Sequence, residues 1–149
     1  MRPDELATAL VGTWQLIQRE DRAADGTLRH DPALGPDPLG LLIYDAAGHF
    51  SAQFMKRDRS DGDDGSPRVA GHNNSRAVGG FDSYWGRYVV DHESGLVTQT
   101  LDGALAAENV GLVVTRPMRV AGDELSLRLE TTAVDGTPVV RTLRWCRVG

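Results

Sequence analysis

The sequence predicts an all-β fold: one eight-stranded antiparallel up-and-down barrel, with a short N-terminal helix and a long loop over residues 58–80 covering one end. Three observations carry this. Apolar and polar residues alternate with a period near two from Thr13 onward. Short turn signals rich in Gly, Asp and Pro separate most of the alternating runs. At 149 residues the chain has the length of one ordinary domain, with 40% hydrophobic and 25% charged residues. A flat sandwich is the competing arrangement. Closure favours the barrel because it leaves a monomer no exposed strand edge.

The elements follow in order. "RPDELATAL" reads as one or two helical turns, with Pro3 near the first position and acidic residues in the first turn. Gly12 ends it. In the first strand Trp14, Leu16 and Gln18 share one face, and Thr13, Gln15 and Ile17 the other. The connection that follows is rich in Pro, Gly and Asp, and Asp25-Gly26 signals a small hairpin. Leu39 to Tyr44, a turn at "DAAG", and His49 to Arg57 form the clearest hairpin. Asp58 to Gly80 is polar and Gly-rich without a period, and its second half is expected to hold a short helix around Ser75 to Tyr84. Strands then resume in "YWGRYVVD", "LVTQTLDGAL", "VGLVVTRPMRV", "ELSLRLETT" and "VVRTLRWCRV". Pro117 marks an edge or bulge, because it has no N–H for the ladder.

Composition narrows the partners. The net charge of −5 argues against nucleic acid and anionic membrane, which both reward Lys and Arg. No apolar run resembles a signal peptide or approaches the roughly 18 residues of a membrane span, so the expected compartment is the cytoplasm. The single Cys146 lies in a strand pattern and reads as a small apolar residue, with no intrachain disulfide possible.

Few residues announce chemistry. His30, His49, His72 and His92 make no ligand-like pairs, so no metal is expected. The acidic run Asp61 to Asp64 lacks the spacing of a calcium loop. No nucleophile elbow, phosphate loop or dinucleotide fingerprint occurs, and no cofactor is expected. His72 is singled out as a candidate acid or base because it lies in the long loop. The more informative residues are polar groups on apolar strands. Gln18, Tyr44, Gln53, Tyr88, Gln99 and Arg116 are candidates to point into a cavity, with Phe54 beside them and Phe81 and Trp85 flanking its mouth. Tyr44, Tyr88 and Arg116 are also candidate catalytic groups.

"LVGTWQL", "PLGLLIYDAAGHFSAQFMKRDR", "SYWGRYVVDHESGLVTQTLDGAL" and "TRPMRVAGDELSLR" together resemble the bacterial lipocalin-like domain family over nearly the whole chain. The blocks Gly40–Arg57 and Tyr84–Leu105 carry the most specific likeness. Gln99 stands where relatives often have His, and "AAEN", Ala106 to Asn109, replaces a segment like "NPNW". The resemblance implies a barrel with an interior cavity. It also implies that Trp14, after Gly12, closes the barrel floor against an Arg of the last strand, Arg144 or Arg147. Three functions are compatible with it: binding of a small, largely apolar organic molecule; a cofactor-independent cyclase or isomerase of a polyketide-like or terpenoid-like metabolite in the same cavity; or a filled barrel serving as a scaffold. The expected state is a monomer or homodimer.

Overall fold

The computed structural model describes residues 3–29, 31–59, 79–91, 93–133 and 135–149. A helix, α1 (Pro3–Leu10), precedes nine strands: β1 (Gly12–Ala23), β2 (Leu28–Arg29), β3 (Leu39–Tyr44), β4 (His49–Met55), β5 (Phe81–Val90), β6 (Leu96–Ala104), β7 (Val113–Ala121), β8 (Glu124–Thr132) and β9 (Pro138–Arg147). Consecutive strands pair antiparallel from β3 to β9, and β1 pairs with both β3 and β9. Eight strands therefore close on themselves. The ninth, β2, only folds back on the far end of β1, pairing Asp21 with Arg29 and Arg22 with Leu28 around the expected Asp25-Gly26 turn.

Two of the hairpin turns are held by an Asp side chain at their start. Asp45 Oδ1 accepts from the backbone N–H groups of Ala47 and His49, and Asp91 Oδ1 from those of Glu93 and Ser94. One expectation is corrected. Phe81–Tyr84 is not helical but begins β5, with Asp82 and Tyr84 facing inward by strand alternation; Ser75–Val78 lie outside the described residues. The Asp58–Gly80 connection leaves and returns at one place, since Arg59 donates to the Gly79 carbonyl from Nε (3.1 Å) and Nη2 (2.9 Å). Its part from 60 to 78, with the acidic run and His72, lies outside the described residues, as do His30 and His92.

The end of the barrel beneath α1 is sealed. Leu6 and Leu10, one helical turn apart, are buried against it. Trp14 is fully buried, and its indole N–H donates to the Leu10 carbonyl at 2.9 Å. Arg147 lies over the Trp14 ring, its guanidinium carbon 4.3 Å from the centroid, and donates to the carbonyls of Val11 and Ala9. Gly12 is required beside it: φ is +143°, and a Cβ there would sit 2.5 Å from Arg147 Nη1 and 2.6 Å from the Gly149 carbonyl. Of the two candidate arginines Arg147 is the partner and Arg144 is not. Arg144 has the opposite parity on β9, lies on the outer face, and binds Gln18 and Glu124.

This geometry predicts that Trp14→Ala lowers stability by about 3–5 kcal/mol, through lost burial and the cavity left behind. Denaturant unfolding measures it. A loss below about 1 kcal/mol would mean that the floor is held by something other than this ring.

Candidate functional site

The interior is shaped by one irregularity in β1. Leu16 pairs with Trp145 and Gln18 with Arg144, so Ile17 has no partner on β9. This is a β-bulge, one extra residue that resets the alternation. Trp14 and Leu16 face inward before it; Ile17 and Gln18 both face outward across it; Arg19 and Asp21 then face inward. The expectation that Gln18 enters the barrel is therefore corrected. Its side chain is exposed and accepts a 2.9 Å bond from Arg144.

The bulge puts charge inside. Asp21 is directly opposite Arg141 on β9. Its Oδ1 accepts from Arg141 Nε at 2.8 Å and its Oδ2 from Nη2 at 3.0 Å, and each side chain is only 6% exposed. Arg19 faces Asp31 at 3.6 Å. Burial first, then repulsion from Arg141, lowers the Arg19 guanidinium to about 10, against the opposing pull of Asp31 and Asp21.

Around these groups lies a cavity of about 40 Å³, lined by Arg19, Leu42, Tyr44, Ala52, Phe54, Tyr84, Gln99, Arg116, Met118, Leu127, Leu129, Arg141, Leu143 and Trp145. That volume suits one or two waters, or a similarly small polar group, and is far below the roughly 300–1,000 Å³ of organic-ligand pockets. Four of the sequence-based candidates, Tyr44, Phe54, Gln99 and Arg116, are in this lining. Gln99 Nε2 donates to the Tyr44 hydroxyl at 2.7 Å, and that hydroxyl donates to Met118 Sδ at 3.5 Å. The buried Trp145 indole N–H has no hydrogen-bond partner among the described residues. Arg116 donates to its neighbour's carbonyl, that of Thr115, at 3.2 Å and has no carboxylate partner among the described residues. Burial pushes its guanidinium below the ordinary value, with Tyr84 opposing the shift and Arg141 adding to it.

The wall beside Arg116 is incomplete. The β7–β8 ladder runs only from Met118–Leu127 to Ala121–Glu124. Past it, Val113–Pro117 pair with β6 alone and Arg128–Thr132 with β9 alone. Pro117, which has no N–H to give, stands where the ladder stops. Arg116 on β7 and Leu129 on β8 flank this gap and also line the cavity.

The remaining candidates lie elsewhere. Gln53 is exposed and, with Phe81, borders a separate outer groove of about 280 Å³. Trp85 is 55% exposed and covers Gly103, where a Cβ would meet the indole at 2.3 Å. The sequence reading that sends Gln53 and Trp85 toward the cavity or its mouth is corrected by strand parity, which turns both outward. Tyr88 faces the helix end instead: its hydroxyl donates to the Asp45 carbonyl at 2.6 Å and its ring meets Tyr44 edge-on at 4.8 Å. Sequence reasoning missed Arg19, Asp21, Tyr84, Arg141 and Trp145. A signal existed for Arg141, since Val139, Arg141, Leu143 and Trp145 share one parity on β9. Among the described residues no three His, Cys, Asp or Glu side chains converge as a metal would require.

All three tyrosines are held above the ordinary value near 10: Tyr44 by burial and Tyr84, Tyr84 by burial and Asp82, Tyr88 by burial and Asp45. A raised folded-state value means that the unfolded chain loses these protons first, so this contribution to stability is intact below about pH 10 and falls as pH rises further. An absorbance titration of tyrosinate should stay flat past pH 10 and then rise together with loss of near-ultraviolet circular dichroism. Titration of all three near pH 10 in the folded protein would contradict the burial described.

Comparison with known families gives a full-length answer. The profile of a lipocalin-like domain matches residues 11–148, from the start of β1 through β9. No curated protein matches the chain significantly. No helix among the described residues is long and apolar enough to cross a membrane. With a closed eight-stranded barrel and a match over almost its whole length, the chain belongs to the lipocalin-like domain family.

Proposed function

We propose that the barrel binds a small organic molecule with a largely apolar body, taking its polar end among Tyr84, Gln99 and Arg116. The observation that carries this is the polar belt in an otherwise apolar interior. A barrel selected only for stability would fill this level with aliphatic side chains, because buried charges and unpaired donors cost free energy. Here Arg19, Tyr84, Gln99, Arg116 and Arg141, on β1, β5, β6, β7 and β9, line one cavity, with Asp21 bound to Arg141 beside it.

Access runs through the gap between β7 and β8. The 40 Å³ space receives the polar end, and Met118 and Leu129, beside that gap, swing aside to seat the apolar body against Phe54, Leu127 and Leu143. The cyclase or isomerase reading draws on the same groups. Tyr84 remains a neutral donor at physiological pH, and with Arg116 it is suited to stabilise negative charge developing on a carbonyl oxygen.

Titration with the neutral naphthalene dye prodan tests the binding reading. Saturable, blue-shifted emission at one site per chain is expected, and Ala52→Leu, which fills the cavity, should weaken it at least about tenfold while leaving the fold intact by circular dichroism. Binding undiminished by Ala52→Leu would place the dye elsewhere and overturn the reading.

A further inference from the structure

The hydrogen-bond inventory of the cavity is one-sided. Asp21 gives both carboxylate oxygens to Arg141, and the Tyr44 oxygen already accepts from Gln99. Two donors are left with little in return: Arg116 holds only a carbonyl on its own strand, and the Trp145 indole N–H has no partner among the described residues. Of the groups acting on the Arg116 cation, Tyr84 favours it and Arg141 opposes it, and no carboxylate among the described residues pairs with it. Asp82 is buried on β5 near Tyr84, but it is engaged in its own interactions and is not part of the lining. A ligand that supplies acceptors and negative charge complements this wall; one that supplies donors would leave more groups unpaired.

We propose that the ligand is an organic carboxylate on a compact apolar body, with Arg116 as its anion partner and the Tyr84 hydroxyl as a second donor. This rests on the cavity-binding reading above and adds the chemical class to it. Arg116 is suited to the role because its planar guanidinium offers two parallel donors to a carboxylate. It is also half-buried beside the β7–β8 gap, where an incoming anion meets it first. Phe54, Met118, Leu129 and Leu143 supply the apolar contact.

Two probes of nearly equal shape separate charge from fit: 2-naphthoate and the neutral 2-naphthamide, titrated by calorimetry into the whole protein. The wild-type chain should prefer the carboxylate by about tenfold or more, as a charge-assisted pair in a partly desolvated site requires. Arg116→Met should reduce the carboxylate-over-amide preference to within about twofold. Tyr84→Phe, a smaller change, should weaken naphthoate by about three- to tenfold and serves if the Arg116 variant is poorly folded. Equal wild-type affinity for both probes would overturn the acid class while cavity binding stands. A preference that survives both substitutions would overturn the assignment to these residues. No saturable binding of either probe would overturn the cavity reading and the acid class together.

Discussion

The buried ion pair at the centre of this barrel depends on the single unpaired residue in its first strand. Without the bulge at Ile17, strict alternation from Trp14 would turn Gln18 and Glu20 inward and leave Arg19 and Asp21 in solvent. With it, the same strand supplies an apolar lower half and a charged upper half. Asp21 then meets Arg141 directly across the β1–β9 seam, the pairing that closes the barrel. The seam and the polar belt are therefore one construction.

The two ends of the molecule divide the work. At the helix end, Leu6, Leu10, Trp14, Val97 and Leu125 are buried almost completely, and Arg147 ties the helix carbonyls to the last strand. Groups there are satisfied and apolar surface is covered, so that end supports the fold. Nearer the other end the barrel spends stability. It buries guanidinium groups, leaves the Trp145 N–H without an acceptor among the described residues and ends the β7–β8 ladder at Met118. Such features concentrate where a chain keeps a site rather than a core.

Much of the architecture was legible in the sequence because it rests on local patterns. Asp and Gly at the turns, period-two alternation in β3, β4, β8 and β9, and the helix before Gly12 each follow from residue chemistry within a few positions. Tyr44, Phe54, Gln99 and Arg116 were legible as cavity-lining residues by the same alternation. Gln18 was misread because a bulge has no clear local signature: Ile17 and Gln18 look like ordinary strand residues, and only their pairing with β9 shows the extra one. Trp85 and Gln53 were misread because an apolar or amide side chain suits either face of a half-buried strand. Arg141 could have been found by parity, but Arg19 and Asp21 could not be placed without the register. The segment 60–78, read from the sequence as a cover that includes His72, lies outside the described residues.

The central claim is that the polar belt is kept for a ligand and against stability. Replacing it tests this most directly: Asp21→Leu, Arg141→Met, Arg116→Met and Tyr84→Phe combined in one chain, compared with wild type by denaturant unfolding and by naphthoate titration. Removing both members of the buried ion pair together leaves no orphan charge from it, so the variant should be as stable as wild type or more stable by about 1–4 kcal/mol, with carboxylate binding abolished. A variant that loses about 2 kcal/mol or more would show that the belt holds the barrel together, and would contradict the account.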